Sequence, residues 1–391
     1  MKSGIYGLQP IHFSSINFIG NTSHDYRAID YNFSKLLTQN ILYAAYYEPQ
    51  SISSIVELLG ISDTFVQEEI KILEVEGFID KISECRFQSN ILMHDFSQTI
   101  HESMHQIYNK YAHVICEKYV PLIFEVGKSL MSYSSPNSIK EFPQSLYIPN
   151  QDFNYLMWGL ISMSVHEKLV FPQYRYKLAE HYTKRQDGSN NLVSVLLEKN
   201  YSLLFNPINY YKNEQITSRT LSLKNSPITL WQYNCCFDSR IYDWNRILFT
   251  EYVFFLYKYL KGNCMQDFHN QSEYETLNKN GLLIPPHALV NMIISTWEMH
   301  ELQEQLPSMP DHFTTINEEL TFELLKVCQI TYPQHLQNLC VDYYHNSLHS
   351  GNILIRILEI LLKQGKLKLL TDNQQKTVNM FLFCDVNLPH H

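Results

Sequence analysis

The 391 residues predict an α+β protein: an N-terminal helix and hairpin module, a long connecting helix, and a larger mixed α+β C-terminal domain. Three observations carry this. Apolar residues recur at helical spacing from about 32 to 76 and then switch to short strand-like runs. One amphipathic stretch then continues for over thirty residues. Beyond it, strand-like and helix-like segments mix without an internal repeat.

Residues 1–31 are polar with scattered aromatics, and read as an arm. A helix begins near Asn32 or Ser34, with Leu36, Leu37, Ile41, Leu42, Ala45 and Tyr46 along one side. It stops at Glu48-Pro49, since proline disfavours helix in the residue before it. Ser51 suits the cap of a second helix, with Ile52, Ile55, Val56 and Leu59 inward, and Gly60 permits the turn that ends it. Ser62 or Asp63 begins a third, where Val66, Ile70 and Leu73 share a face; it ends at Gly77. Strand-like runs follow at Phe78 to Ile82 and Arg86 to Leu92, with a polar tip at Ser83 and Glu84. Three helices and a β-hairpin within 32–93 are the order of a winged helix-turn-helix.

From Asp95 to about Met131 runs the connecting helix, kinked at Pro121 and assigned to 94–133. Its apolar row of Ile100, Met104, Ile107, Tyr111 and Val114 outlasts the hairpin module and suits pairing with a second copy, a homodimer. "SYSSPNS", Ser132 to Ser138, marks the boundary of a domain over 134–391. There, "YRYKLAEHYTKRQDGSNNLVSVLLEK" predicts two strands turning at Asp187-Gly188, and "ITLWQYNCCFD" a further strand. Helices are expected at "WNRILFTEYVFFLYKYLKG" and around Tyr274 to Asn280, Leu289 to Leu306, Glu318 to Val327 and Ile353 to Gln364.

Composition narrows the function. With 45% hydrophobic and 18% charged residues the chain is globular rather than disordered. A net charge of −9 argues against a protein that coats nucleic acid or anionic membrane non-specifically. No apolar run is long enough to span a bilayer, the N-terminus lacks a signal-peptide core, and the eight cysteines show no C-x-x-C pair. A cytoplasmic protein with reduced thiols is expected, with no membrane partner. High aromatic content, with 27 Tyr and 21 Phe, suits half-buried contact surfaces.

The segment "LTQNILYAAYYEPQSISSIVELLGISDTFVQEEIKILEVEGFIDK" resembles the DNA-binding domain of bacterial winged-helix regulators of the MarR/ArsR type. Later segments, "TLWQYNCCFDSRIYDWNRILF", "YETLNKNGLLIPP" and "LEILLKQGKLKLLTDNQQKTVNMFLF", are similar to the long α/β region of unclear role that follows such a domain in a set of bacterial proteins. The resemblance implies transcription control, with double-stranded DNA as partner and a C-terminal domain that takes a protein or small-molecule effector. Carried over by position, Ser62, Thr64, Gln67 and Lys71 occupy the exposed side of the recognition helix. Gln67 would read adenine, Thr64 would meet a thymine methyl or a phosphate, and Lys71, Lys81 and Arg86 would neutralise phosphates.

One departure matters. Between Lys35 and Asn90 the cations are Lys35, Lys71, Lys81 and Arg86, against the nine anions Glu48, Glu57, Asp63, Glu68, Glu69, Glu74, Glu76, Asp80 and Glu84, a balance of −5. DNA-docking surfaces usually have the opposite sign. The alternative is a winged helix that contacts protein and no DNA.

"HESMH" raises a third reading, a zinc peptidase in which His101 and His105 hold the ion and Glu102 activates water. The metzincin extension is absent, since position 108 is Tyr rather than Gly and position 111 Tyr rather than His, which leaves a glutamate from a later helix as the third ligand such a site would need. Seventeen histidines also make the spelling unremarkable. His101 and His105 read better as the polar flank of a packing helix. His345 with His349 lacks an adjacent carboxylate, Cys235-Cys236 lacks redox spacing, and no phosphate loop or nucleophile elbow is present. No enzyme, metal or cofactor is expected.

Overall fold

The computed structural model describes residues 11–20, 31–94, 98–133, 148, 152–170, 182–185, 188–197, 217–222, 228–234, 283–284, 287–288, 291–295, 311–346, 350–378 and 380–384. Helices and strands are mixed throughout, and the protein is α+β. Two units form, each from separated stretches: Met1–Ile107, Gln173–Leu204 and Glu318–Ser347 make the first, and Tyr108–Pro172, Phe205–Asn317 and Leu348–His391 the second. This division differs from the sequential one, because 173–204 and 318–347 belong with the N-terminal stretch.

In the first unit, strand β1 (Phe13–Gly20) precedes helices α1 (Leu36–Ala44), α2 (Ile52–Leu59) and α3 (Asp63–Val75), then strands β2 (Ile79–Ser83), β3 (Arg86–Ser89) and β4 (Leu92–His94). The helices form where the apolar spacing places them. Ser51 caps α2 by accepting the Ser54 N–H at 3.1 Å, and Gly60 ends it in the left-handed region at φ 66°. Ile41, Leu42, Ala45, Tyr46, Ile55, Val66, Ile70, Leu73, Phe78 and Phe87 are buried. Leu36, expected in the inward row, is exposed.

β2 and β3 pair antiparallel, and β3 also bridges the residue before the α2 cap: Gln50 and Phe87 exchange both backbone bonds at 2.8 Å. The expected strand from Arg86 to Leu92 divides at Asn90. Its side chain donates to the Gly77 carbonyl at 2.9 Å and to Asp80 at 3.0 Å, closing the hairpin. β4 leaves and pairs parallel with β6 (Asn190–Leu197), while β5 (Thr183–Lys184) pairs antiparallel with β6. The Tyr46 hydroxyl ties β4 to the end of α1, accepting the Met93 N–H at 3.1 Å and donating to the Met93 carbonyl at 3.2 Å.

The N-terminal arm needs correction. β1 pairs antiparallel with β6 from Phe13↔Leu197 to Gly20↔Asn191. A register shift between Phe13 and Ser15 breaks the alternation that would have marked the strand. Amides of α1 act as its further partners: Asn40 accepts the Ile11 N–H and Gln39 the Phe13 N–H, both at 3.0 Å.

The connecting helix is also two helices, Gln98–Lys118 and Val120–Tyr133, broken at Tyr119. Pro121 is the second residue of the later helix, where its missing N–H costs nothing. The Tyr119 carbonyl takes the first bonds of that helix, from Leu122 at 3.0 Å and Ile123 at 3.2 Å.

In the second unit, helix Phe153–Val170 is buried from Tyr155 to Val165, so it is a core helix rather than an amphipathic one. The Trp158 indole donates to the Lys368 carbonyl at 3.0 Å. A sheet runs in the order Met292–Ser295, Met380–Cys384, Ile228–Asn234, Thr217–Ser222. Met292–Ser295 therefore corrects the start of the helix expected from 289 to 306, whose stretch 296–306 lies outside the described residues; the strand lies parallel to Met380–Cys384. The helix expected at Ile353 to Gln364 is Ser350–Lys363, and the one expected at Glu318 to Val327 is Asp311–Cys328, which belongs to the first unit from Glu318 on. Those expected at 244–262 and 274–280 fall outside the described residues. No helix among the described residues is long and apolar enough to cross a membrane.

Candidate nucleic-acid interface

α3 buries Val66, Glu69, Ile70 and Leu73 and turns its remaining residues outward. Ser62, Thr64, Gln67 and Lys71 are all exposed, as are Lys81 on β2 and Arg86 at the start of β3. Ser62 occupies the N-cap in extended backbone, but its side chain does not bond the helix. The Gln67 amide donates to Asp63 Oδ2 at 2.5 Å, one turn back on the same helix.

At about 100° per residue, Thr64, Gln67 and Lys71 form one exposed polar stripe. A second exposed stripe was not foreseen from the spacing. Phe65 is 61% exposed, Ile72 39% and Val75 61%. Phe65 and Ile72 lie seven residues apart and so nearly in line, roughly 100° or more from Lys71, whereas Val75 is about 40° from Lys71 and edges the polar stripe. The signal was there: α3 carries more large apolar residues than one buried face can hold.

The acidic residues do not gather on the far side. Glu69 is internal, accepting from the Thr38 hydroxyl and lying 3.6 Å from Lys35 Nζ, which is also 5.1 Å from the Tyr31 ring centroid. Asp63 and Glu68 are exposed on α3 itself, and Glu84 is exposed at the hairpin tip between Lys81 and Arg86.

Residues behind this face hold the hairpin. Arg185 is buried, donates from Nε to Asn191 Oδ1 at 2.9 Å and stacks 4.6 Å from the Phe78 ring centroid. His335 Nε2 lies 2.9 Å from the Ser89 carbonyl, and Gln88 Nε2 3.1 Å from His335 Nδ1. An imidazole bonded in this way donates from Nε2 and accepts at Nδ1. Burial lowers its pKa, against the Ser89 bond and nearby Asp80, which raise it.

Glu102 is exposed on helix Gln98–Lys118, and the His101 side chain lies outside the described residues. Among the described residues no group of three or more His, Cys, Asp and Glu side chains could hold a metal ion. The Cys235-Cys236 pair and the side chains of His345 and His349 also lie outside them.

Compared with protein-family models, curated proteins and solved structures, the chain matches none.

Proposed function

We propose that residues 36–94 are a winged helix-turn-helix that reads double-stranded DNA, and that the protein is a transcriptional regulator. The observation that carries this is the polar stripe of Thr64, Gln67 and Lys71 on α3, opposite the buried Val66, Ile70 and Leu73, with Lys81 and Arg86 exposed on the adjoining hairpin. An α-helix fits the major groove, where a Gln amide can bond adenine through both its atoms. The exposed Asp63–Gln67 bond costs only a few tenths of a kcal/mol to break, so it releases Gln67 readily. The strand pairing of Gln50 with Phe87 supports the winged topology, since it anchors the hairpin beside the helices.

Three exposed cations interspersed with carboxylates give few phosphate contacts. Log affinity should therefore fall with log salt at a slope of about −3 or shallower, and non-specific binding should be weak. The test is selection from a random-sequence duplex pool, followed by salt titration on the enriched duplex. Lys71→Ala should reduce the slope by about one, and Gln67→Ala should cost about 1–3 kcal/mol at one base position. No duplex retained at low salt overturns the reading.

A further inference from the structure

The polar stripe leaves the other exposed side of α3 without a role. Phe65 and Ile72 stand out from the surface there, two large apolar side chains in line on one helix face. Glu68 is exposed on one side of the Phe65–Ile72 line, and the half-buried Glu76 lies on the other. On the α1 side, the cation Lys35 is engaged by Glu69 and the exposed Tyr31 ring. An apolar strip bordered by carboxylates is complementary to apolar residues bordered by lysine or arginine.

We infer that the Phe65–Ile72 strip of α3 docks a basic amphipathic helix of a partner protein. Phe65 and Ile72, two helical turns apart, match apolar anchors at i and i+7 on the partner. Glu68 meets its cationic flank. The site is offset around the helix from the DNA-reading stripe, so a docked helix and a duplex can be held at once.

The experiment uses the full chain and two fluorescent helical peptides that share a leucine stripe, one with a lysine polar face and one with a glutamate polar face, read by anisotropy. The lysine peptide binds and the glutamate peptide does not. Phe65→Ser and Ile72→Ser each weaken binding about tenfold, because each removes one buried anchor without changing charge. Glu68→Lys weakens it too, while Glu57→Lys, the same charge change on exposed α2 surface, does not. Equal binding of both peptides, equal effects of Glu68→Lys and Glu57→Lys, or serine variants that bind as well as the parent would overturn the inference. So would a Phe65→Ser variant that loses duplex binding, which would turn the strip toward DNA, or one that changes from dimer to monomer in sedimentation, which would make a second copy the occupant. Peptide binding without any duplex binding sustains the inference and removes only the DNA reading.

Discussion

Gly60 and Gly77 have similar left-handed backbones, at φ 66° and 75°, but alanine should be far worse at Gly77. A Cβ at Gly60 meets nothing within 4 Å; one at Gly77 would lie 2.7 Å from Arg185 Cδ and 3.0 Å from its Nη1. Gly60→Ala therefore costs the left-handed strain alone, about 1–2 kcal/mol. Gly77→Ala adds the displacement of Arg185 from the Phe78 ring, about 1–2 kcal/mol, and from Asn191, about 1.5–3 kcal/mol. The expected total is roughly 3.5–7 kcal/mol, reduced where the arginine finds a new pose. Native-state hydrogen exchange at amides of α3 and the hairpin is the suitable assay, because a chain of two units need not unfold in one step. In an Arg185→Ala background, Gly77→Ala should cost no more than Gly60→Ala. Additivity of the two substitutions at the full cost of each would refute the contact as the cause.

Two further outcomes follow from the first unit. Burial pushes the His94 ring from 6.5 down to about 3, so the unfolded chain takes up a proton in that window before the folded one does. Its contribution to stability is complete above 6.5 and is lost as pH falls, at about 1.4 kcal/mol per unit. Exchange of the Met93 and Leu92 amides should accelerate between about pH 6 and 5 relative to a His94→Gln variant, and parallel profiles would count against the assignment. Ser51→Ala, which removes the acceptor of the Ser54 N–H, should destabilise α2 by about 1 kcal/mol, with Ser51→Asp restoring most of it. No change in Ser54 exchange would sink that expectation.

Much of the helical region was legible because its signals are local. The Ser51 cap, Gly60, Gly77 and the Val66, Ile70, Leu73 spacing each mark a boundary or a face without reference to distant residues. β1 was not, since its partner is β6 far along the chain and the register shift after Phe13 interrupts its alternation. Met292–Ser295 was misread for a different reason. An apolar run as short as Met292 to Ile294 has no period to distinguish strand from helix, and its pairing with Met380–Cys384 decides the matter from outside. The break at Tyr119 was half legible: Pro121 signals a disturbance, but spacing alone does not tell a kink from a restart.

The charge balance of the 35–90 segment counts residues without asking where they point, and this limits it as a guide to partners. Glu69 is buried and pairs with the partly exposed Lys35, so the two largely cancel. Asp63 occupies Gln67, an exchangeable pairing, whereas Glu68 stays exposed between the polar and apolar stripes. A DNA backbone brought onto the Gln67 and Lys71 side would be repelled by Glu68 unless another positive charge sat beside it. A basic partner helix on the Phe65 side would place one there, so peptide and duplex should strengthen each other's binding. Because such coupling is reciprocal, saturating lysine peptide should raise duplex affinity by the same factor that duplex raises peptide affinity. Glu68→Lys should reduce that factor toward one, since it removes the repulsion that the peptide relieves.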